Sequence, residues 1–318
     1  MDLTFEDVLA ARELIAPQLP VSPLWHYPAL DALVGATLYV KHENTQPVGA
    51  FKVRGGLTLL AGMTAEQRGR GLVTYSTGNH AQSVAYACAQ VGAGCTVVMP
   101  ESASAEKVRA VRALGAEVVL HGPDMESAQQ RAEEWAAARD ACLVSPGDTP
   151  ELLAGVGTLY LELFTAQPDL DVVLVPVGSG TGAAAATVVA AVMAPRCRVI
   201  AVQSSASPAA HDSWRAGTCV RRPNRTVVDG LATGRGYEVP QRILRTGLAD
   251  FRLVDDAQIG VAQRLMATHA HTLAEGAGAT GLAAVLTDPE TFAGAQVAVV
   301  CTGGNASARE FAALGSTD

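Results

Sequence analysis

The chain has 318 residues, is 49% hydrophobic and carries a net charge of −8. That length suits one or two domains with a large core, and the acidic balance, with Arg221-Arg222 as its only sharp basic cluster, speaks against a nucleic-acid partner. The acidic start Met1-Asp2-Leu3-Thr4-Phe5-Glu6-Asp7 has no apolar signal core, no apolar run is long enough to span a bilayer, and the six cysteines lack C-x-x-C or zinc spacing, so a soluble cytoplasmic protein is expected.

In chain order, Thr4 with Asp7 three residues on predicts a capped helix to about Ile15, stopped by Pro17 and Pro20. Leu38-Tyr39-Val40-Lys41 reads as a strand leading toward Lys52, with a helix from about Arg54 to Leu60. From Gly71 a regular alternation begins: strand Leu72–Tyr75, helix Ala81–Gln90, strand Cys95–Met99, a helix capped near Ser104 and ended by Gly115, then strand Glu117–Leu120. A second such unit opens at Val172–Val177, passes through Gly178-Ser179-Gly180-Thr181-Gly182 into an Ala-rich helix, and continues in strand Arg198–Val202. Gln296–Cys301 is a buried strand ending in Thr302-Gly303-Gly304-Asn305. The βαβα order implies parallel sheets with helices on both faces. Breaks near residue 70 and at Pro146-Gly147-Asp148 divide the chain into a large domain, 1–70 with 147–318, and an inserted small domain, 71–146.

Several segments are candidates for chemistry. Lys52 lies between Phe51 and Val53, just after the turn-forming Pro47-Val48-Gly49. Apolar surroundings lower a lysine pKa, and a neutral amine is what a Schiff base with a carbonyl cofactor requires. A lysine snorkelling at the edge of a core is an equal reading of that segment alone. Gly178-Ser179-Gly180-Thr181-Gly182, between strand and helix, leaves backbone N–H groups free to surround an anion at a helix N-terminus. It also fits a dinucleotide fingerprint and so an NAD-dependent oxidoreductase. Gln203 stands, however, where an acidic ribose ligand is required. Ser76-Thr77-Gly78-Asn79-His80 can hold a carboxylate by the same dipole argument, or simply cap a helix. His80 reads more readily as structural than as an acid or base.

Taken together, these segments resemble the fold-type II pyridoxal-phosphate enzymes, within them the threonine/serine dehydratase and serine racemase group. The resemblance runs through Glu43-Asn44-Thr45-Gln46, Gly49-Ala50-Phe51-Lys52-Val53-Arg54-Gly55, Ser76-Thr77-Gly78-Asn79-His80-Ala81-Gln82, the glycine loop, Asp229-Gly230-Leu231-Ala232, Glu275-Gly276-Ala277-Gly278-Ala279 and Thr302-Gly303-Gly304-Asn305. It implies an α/β fold of two open twisted, mostly parallel sheets flanked by helices, with the site in the cleft between two domains. It further implies pyridoxal 5'-phosphate as cofactor and a homodimer acting on a small-molecule amino acid. Residue by residue, it implies Lys52 as the Schiff-base lysine and Cα base, with Phe51 beside the cofactor. Gly178, Ser179, Gly180, Thr181 and Gly182 become the phosphate cup, Asn79 a partner of the 3-hydroxyl oxygen, and Thr302 the partner of the ring nitrogen. Ser76, Thr77, Asn79 and His80 become the grip on the substrate carboxylate. The expected reaction is β-elimination from a hydroxy amino acid such as threonine or serine, giving a 2-oxo acid and ammonia.

The sequence departs from the family pattern at three places. Ser179 and Thr181 interrupt a loop often made of four glycines. Thr77 stands where serine racemases carry a serine acid/base and many dehydratases an alanine, which keeps amino acid racemisation as an alternative. Gln203, Ser207 and Ala209 occupy the positions where some relatives bind a divalent cation, so no metal is expected there. The Ser-Thr-Gly-Asn-His and Glu-Gly-Ala-Gly-Ala forms also resemble hydroxyectoine-pathway dehydratases. No residues remain for the regulatory domain of biosynthetic threonine dehydratases, so feedback through such a domain is not expected. His80 disfavours cysteine-synthase-type replacement, and an intact Lys52 disfavours a non-catalytic amino acid sensor.

Overall fold

The computed structural model describes residues 3–315; Met1 and Asp2, part of the amino-terminal reading, and 316–318 lie outside the described residues. The first helix, Phe5–Ile15, starts as its sequence dictates: the Thr4 hydroxyl accepts from the Asp7 N–H and the Asp7 carboxylate accepts from the Thr4 N–H at 2.9 Å. This reciprocal pairing satisfies two amides that a helix start leaves open.

The strands are β1 (Leu24–His26), β2 (Thr37–His42), β3 (Leu72–Tyr75), β4 (Cys95–Met99), β5 (Glu117–Leu120), β6 (Cys142–Val144), β7 (Val172–Pro176), β8 (Arg198–Ser204), β9 (Asp250–Val254) and β10 (Gln296–Cys301). They form a six-stranded sheet ordered β1-β2-β10-β7-β8-β9 and a four-stranded sheet ordered β5-β4-β3-β6. Only β1 runs antiparallel, pairing Trp25 with Val40; the other pairings are parallel. The fold is thus α/β with two mostly parallel sheets flanked by helices, and every strand expected from the sequence is present.

Continuous apolar runs mark the strands covered on both faces. All residues of β7 and β3 are buried, whereas the edge strand β5 exposes Glu117 and Leu120. One face of the larger sheet packs against helices Pro150–Ala166 and Thr181–Met193, whose alanines and leucines enclose Val173, Val175 and Ala201. The other face packs against helices Asp256–His269 and Gly276–Thr287 around Leu174, Ile200 and Val299. Small residues dominate both inner helices, which lets them lie close to the sheet.

A buried charged cluster anchors the helix that begins at Lys52 (Lys52–Gly62). Arg54, 1% exposed, donates to Glu43 at 2.7 and 2.9 Å and to Glu162 at 2.7 and 2.8 Å. Lys41 Nζ donates to Glu162 at 2.5 Å and to the Ser22 carbonyl at 2.8 Å, and the Ser22 hydroxyl donates to Glu43. Two cations meet two carboxylates, so the cluster is neutral and each charge has a hydrogen-bonded partner, as burial requires.

Candidate active site

A cavity of about 330 Å³ opens between the carboxyl ends of the two sheets, lined from one side by residues 75–80 and 125–129 and from the other by Phe51, Lys52, the 176–182 loop, residues 229–237 and Thr302. Parallel strands with helices on both faces leave their crevice at this end, so loops from both sheets converge here.

Lys52 opens its helix with its side chain in this cavity. Its Nζ donates to the Thr181 hydroxyl at 2.7 Å and to the Ser179 hydroxyl at 3.3 Å, and lies 5.2 Å from the centre of the Phe51 ring. Burial without a facing carboxylate pulls its pKa down to about 7. A large share of the amine, about half, is therefore neutral near neutral pH.

The glycine loop lies directly under it. The chain leaves β7 at Pro176 and enters helix Thr181–Met193 through Gly180, whose φ of +92° favours glycine. A Cβ on Gly178 would lie 2.3 Å from the Gly230 carbonyl oxygen, so a side chain there would push the 229–233 segment away. That segment is tied to the loop from its other end: the Thr233 hydroxyl donates to the Gly178 carbonyl at 3.1 Å. The result is a cup of backbone and hydroxyl groups at a helix N-terminus, suited to an anion.

Across the cavity, Tyr75 ends β3, and Ser76-Thr77-Gly78 lead into helix Asn79–Val91. Ser76, Thr77 and Asn79 line the cavity, and the Ser76 hydroxyl accepts from the Gly78 N–H at 3.1 Å. The His80 imidazole is committed elsewhere: its Nε2 meets the Thr74 hydroxyl at 2.8 Å, and burial holds its pKa down to about 3. His80 is thus neutral, and its side chain braces the loop. Asn79 is held at both ends of its amide: Nδ2 donates to Glu275 at 2.7 Å and Oδ1 accepts from Asn305 at 2.8 Å. Among the described residues, Asn79 Nδ2 makes this one bond to Glu275, so its second N–H is uncommitted.

Glu275 is a site residue that the sequence reading left within a motif and gave no role. Burial pushes its carboxyl up to about 7, and it lines the cavity next to Thr302 and Asn79. A single glutamate before a helix carries no local signal of burial; the fold places it there.

The 302–305 turn closes the floor. Thr302 is 4% exposed, and its hydroxyl has no hydrogen-bond partner among the described residues. A buried, unpaired hydroxyl is costly unless a ligand meets it. The anion cup, the orphaned hydroxyl and the neutral amine, all on one cavity, fit a group that combines a phosphate, a ring nitrogen and an aldehyde, and pyridoxal phosphate is such a group.

Away from the cavity, Gln203 is fully buried and its Oε1 accepts from the His211 N–H at 3.1 Å, while the Ser207 hydroxyl donates to the Thr233 carbonyl at 2.9 Å. Among the described residues no helix is long and apolar enough to cross a membrane.

Comparison with known proteins agrees with this geometry. The family model described as pyridoxal-phosphate dependent enzyme matches residues 15–303. An L-threonine ammonia-lyase from Thermotoga maritima is 34% identical over 95% of this chain and 76% of its own length. A beta-hydroxyaspartate dehydratase from Paracoccus denitrificans is 34% identical over 95% of this chain and 96% of its own. The solved structure of maize serine racemase superposes with a TM-score of 0.93 at 28% identity, covering 98% of this chain and 96% of that one. With the fold, the cleft and the family model in agreement over most of its length, the chain belongs to the pyridoxal-phosphate dependent enzymes.

Proposed function

We propose that the protein is an ammonia-lyase that converts a hydroxy amino acid, of the threonine or serine type, to a 2-oxo acid and ammonia by β-elimination. The observation that carries this reading is Lys52, a half-buried amine with its pKa drawn down to about 7 directly over the glycine loop. When bound, pyridoxal 5'-phosphate supplies an aldehyde that takes the substrate amine and a ring that accepts the electron pair left at Cα.

The protein's own residues then do the rest. Gly178 to Gly182 hold the phosphate on backbone N–H groups, assisted by the Ser179 and Thr181 hydroxyls. The Thr302 hydroxyl would meet the ring nitrogen, Phe51 would flank the cofactor, and an Asn79 N–H would meet the 3-hydroxyl oxygen. The Ser76-to-His80 segment takes the substrate carboxylate at the N-terminus of helix Asn79–Val91, with Ser76, Thr77 and Asn79 offering side chains and His80 only its backbone. Lys52 Nζ, neutral and close by, removes the Cα proton. A neutral hydroxyl there would not hold the ring nitrogen protonated as a carboxylate would, which would favour prompt departure of the β-hydroxyl.

In this reading, residues 1–70 with 147–318 are the large cofactor-binding domain and 71–146 the small domain that presents the carboxylate loop. The protein is taken as a cytoplasmic homodimer. Borohydride reduction of the holoenzyme is expected to attach the cofactor to Lys52, read by peptide mass spectrometry, and oxo-acid release is expected from L-serine, L-threonine or their 3-substituted analogues. Attachment at another lysine would overturn the assignment.

Amino acid racemisation is the second reading, favoured by the Thr77 hydroxyl on the cavity wall. Thr77→Ala should abolish any formation of the D-isomer. Loss of oxo-acid release along with it would show that Thr77 serves elimination instead.

A further inference from the structure

Among the described residues, the cleft holds one cationic side chain, Arg235, that forms no ion pair and is not drawn toward a neutral form. Of the cationic side chains lining it, Lys107 pairs with Asp229 at 2.7 Å and Arg221 with Glu126 at 2.5 Å. Lys52 is drawn toward its neutral form by burial. Arg235 has no carboxylate within ion-pair distance among the described residues. Asp148 acts on it only through space, and that carboxylate accepts from the Val239 N–H at 3.1 Å.

Arg235 is also held in place. Its backbone pairs with Arg221 in an antiparallel bridge, flanked by hydrogen bonds from Arg222 N to the Gly234 carbonyl and from Gly236 N to the Val220 carbonyl. Its guanidinium lies 4.7 Å from the centre of the Tyr237 ring, and that ring is 9% exposed. Contact with the ring of Tyr237 and a hydrogen bond to its side chain restrict the guanidinium, and its remaining donors are left for a carboxylate. The other two anions that the proposed reaction brings in have their own places: the phosphate at the glycine loop and the α-carboxylate at the Ser76-to-His80 segment.

We propose that Arg235 is a specificity-determining residue that binds a second carboxylate on the substrate side chain, so that the preferred substrate is an acidic hydroxy amino acid of the 3-hydroxyaspartate type. The inference rests on the β-elimination reading for its chemistry but not for its binding. A bidentate guanidinium–carboxylate pair in a cleft discriminates against a methyl or hydrogen by leaving the cation unpaired.

The test compares holoenzyme and Arg235→Gln on L-threo-3-hydroxyaspartate and L-threonine by oxo-acid release. In parallel, calorimetry measures binding of the non-eliminating L-aspartate and L-alanine. The ratio of kcat/KM for hydroxyaspartate over threonine is expected to favour hydroxyaspartate in the wild type and to fall by about 30-fold or more in Arg235→Gln. Arg235→Lys, which keeps the charge and loses the fork, should fall between them. The aspartate-over-alanine binding ratio should shift the same way. An equal loss on both substrates, with no change in ratio, overturns the inference and returns Arg235 to the α-carboxylate or to structure. If no hydroxy amino acid yields an oxo acid, the elimination reading fails and the calorimetric ratio alone decides this one: an Arg235-dependent preference for aspartate upholds it, and no preference overturns it. Should Arg235→Gln fail to fold, Arg235→Lys and the wild-type ratios give the same decision.

Discussion

At the residue scale, two side chains have properties that follow from burial and give separate tests. Lys52 has an ordinary pKa of 10.5 and about 7 in the folded protein. The unfolded chain therefore holds a proton on it between pH 7 and 10.5 that the folded chain has released, so stability of the cofactor-free protein rises with pH through that window. Relative to Lys52→Met, the wild type is expected to gain about 2 kcal/mol between pH 7 and 9, read from urea unfolding. An identical pH slope in the two proteins would refute a depressed Lys52. Thr302 gives the complementary case. Its orphaned hydroxyl penalises the cofactor-free fold, so Thr302→Val should leave that fold as stable or raise it by about 1 kcal/mol. The same change should weaken retention of pyridoxal phosphate, measured by dialysis and absorbance. Loss of stability with cofactor retention intact would mean the hydroxyl has a protein partner.

At the element scale, the helix Lys52–Gly62 is placed by charge as much as by packing. Arg54, two residues past Lys52, is surrounded by Glu43 from the segment after β2 and by Glu162 from helix Pro150–Ala166. Arg54→Met would leave both carboxylates buried with only Lys41 to share, and is expected to destabilise the protein by about 3–5 kcal/mol. Thermal unfolding checks this; a loss below about 1 kcal/mol would show that water reaches the cluster. The glycine loop is the second placed element. Gly178→Ala puts a methyl 2.3 Å from the Gly230 oxygen, a distance no packing tolerates. The 229–233 segment must then move, and pyridoxal phosphate affinity is expected to fall at least tenfold by fluorescence titration, more than for Gly217→Ala, where open space receives the methyl and the only strain is a φ of +68°.

At the scale of the whole molecule, the site exists only because two sheets face one another. Two ion pairs cross the cleft, Lys107 with Asp229 and Arg221 with Glu126, and their side chains are exposed apart from Lys107, which is half-buried. Exposed pairs contribute little to stability, of order 0–1 kcal/mol, and salt screens them. Asp229→Asn with Glu126→Gln should therefore leave the melting temperature within a few degrees while raising KM, since the two sides of the cleft lose their tether. A large drop in melting temperature would mean these pairs hold the fold itself.

The same three scales separate what was readable in the chain from what was not. Strands such as Val172–Pro176 and Leu72–Tyr75 are legible because burial on both faces demands an unbroken apolar run, and helix Phe5–Ile15 because its capping box is local. β1 and β6 are three residues each, too short to show a period, and β6 is held by pairing with β3, far back in the chain. Lys52, Asn79, the 178–182 loop and Thr302 could be picked out because their motifs are contiguous and end strands or open helices. The roles of Glu275 and Arg235 could not, because each depends on a partner, present or missing, that lies far along the chain. By itself the sequence determined the type of the elements it marked and the parallel architecture, through short-range periodicity, while its motifs carried the resemblance that implies the chemical kind of the site. Only the tertiary structure decided which charges are paired and which polar groups are left open, because burial and Coulomb interaction depend on distance in space, and that distance is set when the sheets pack.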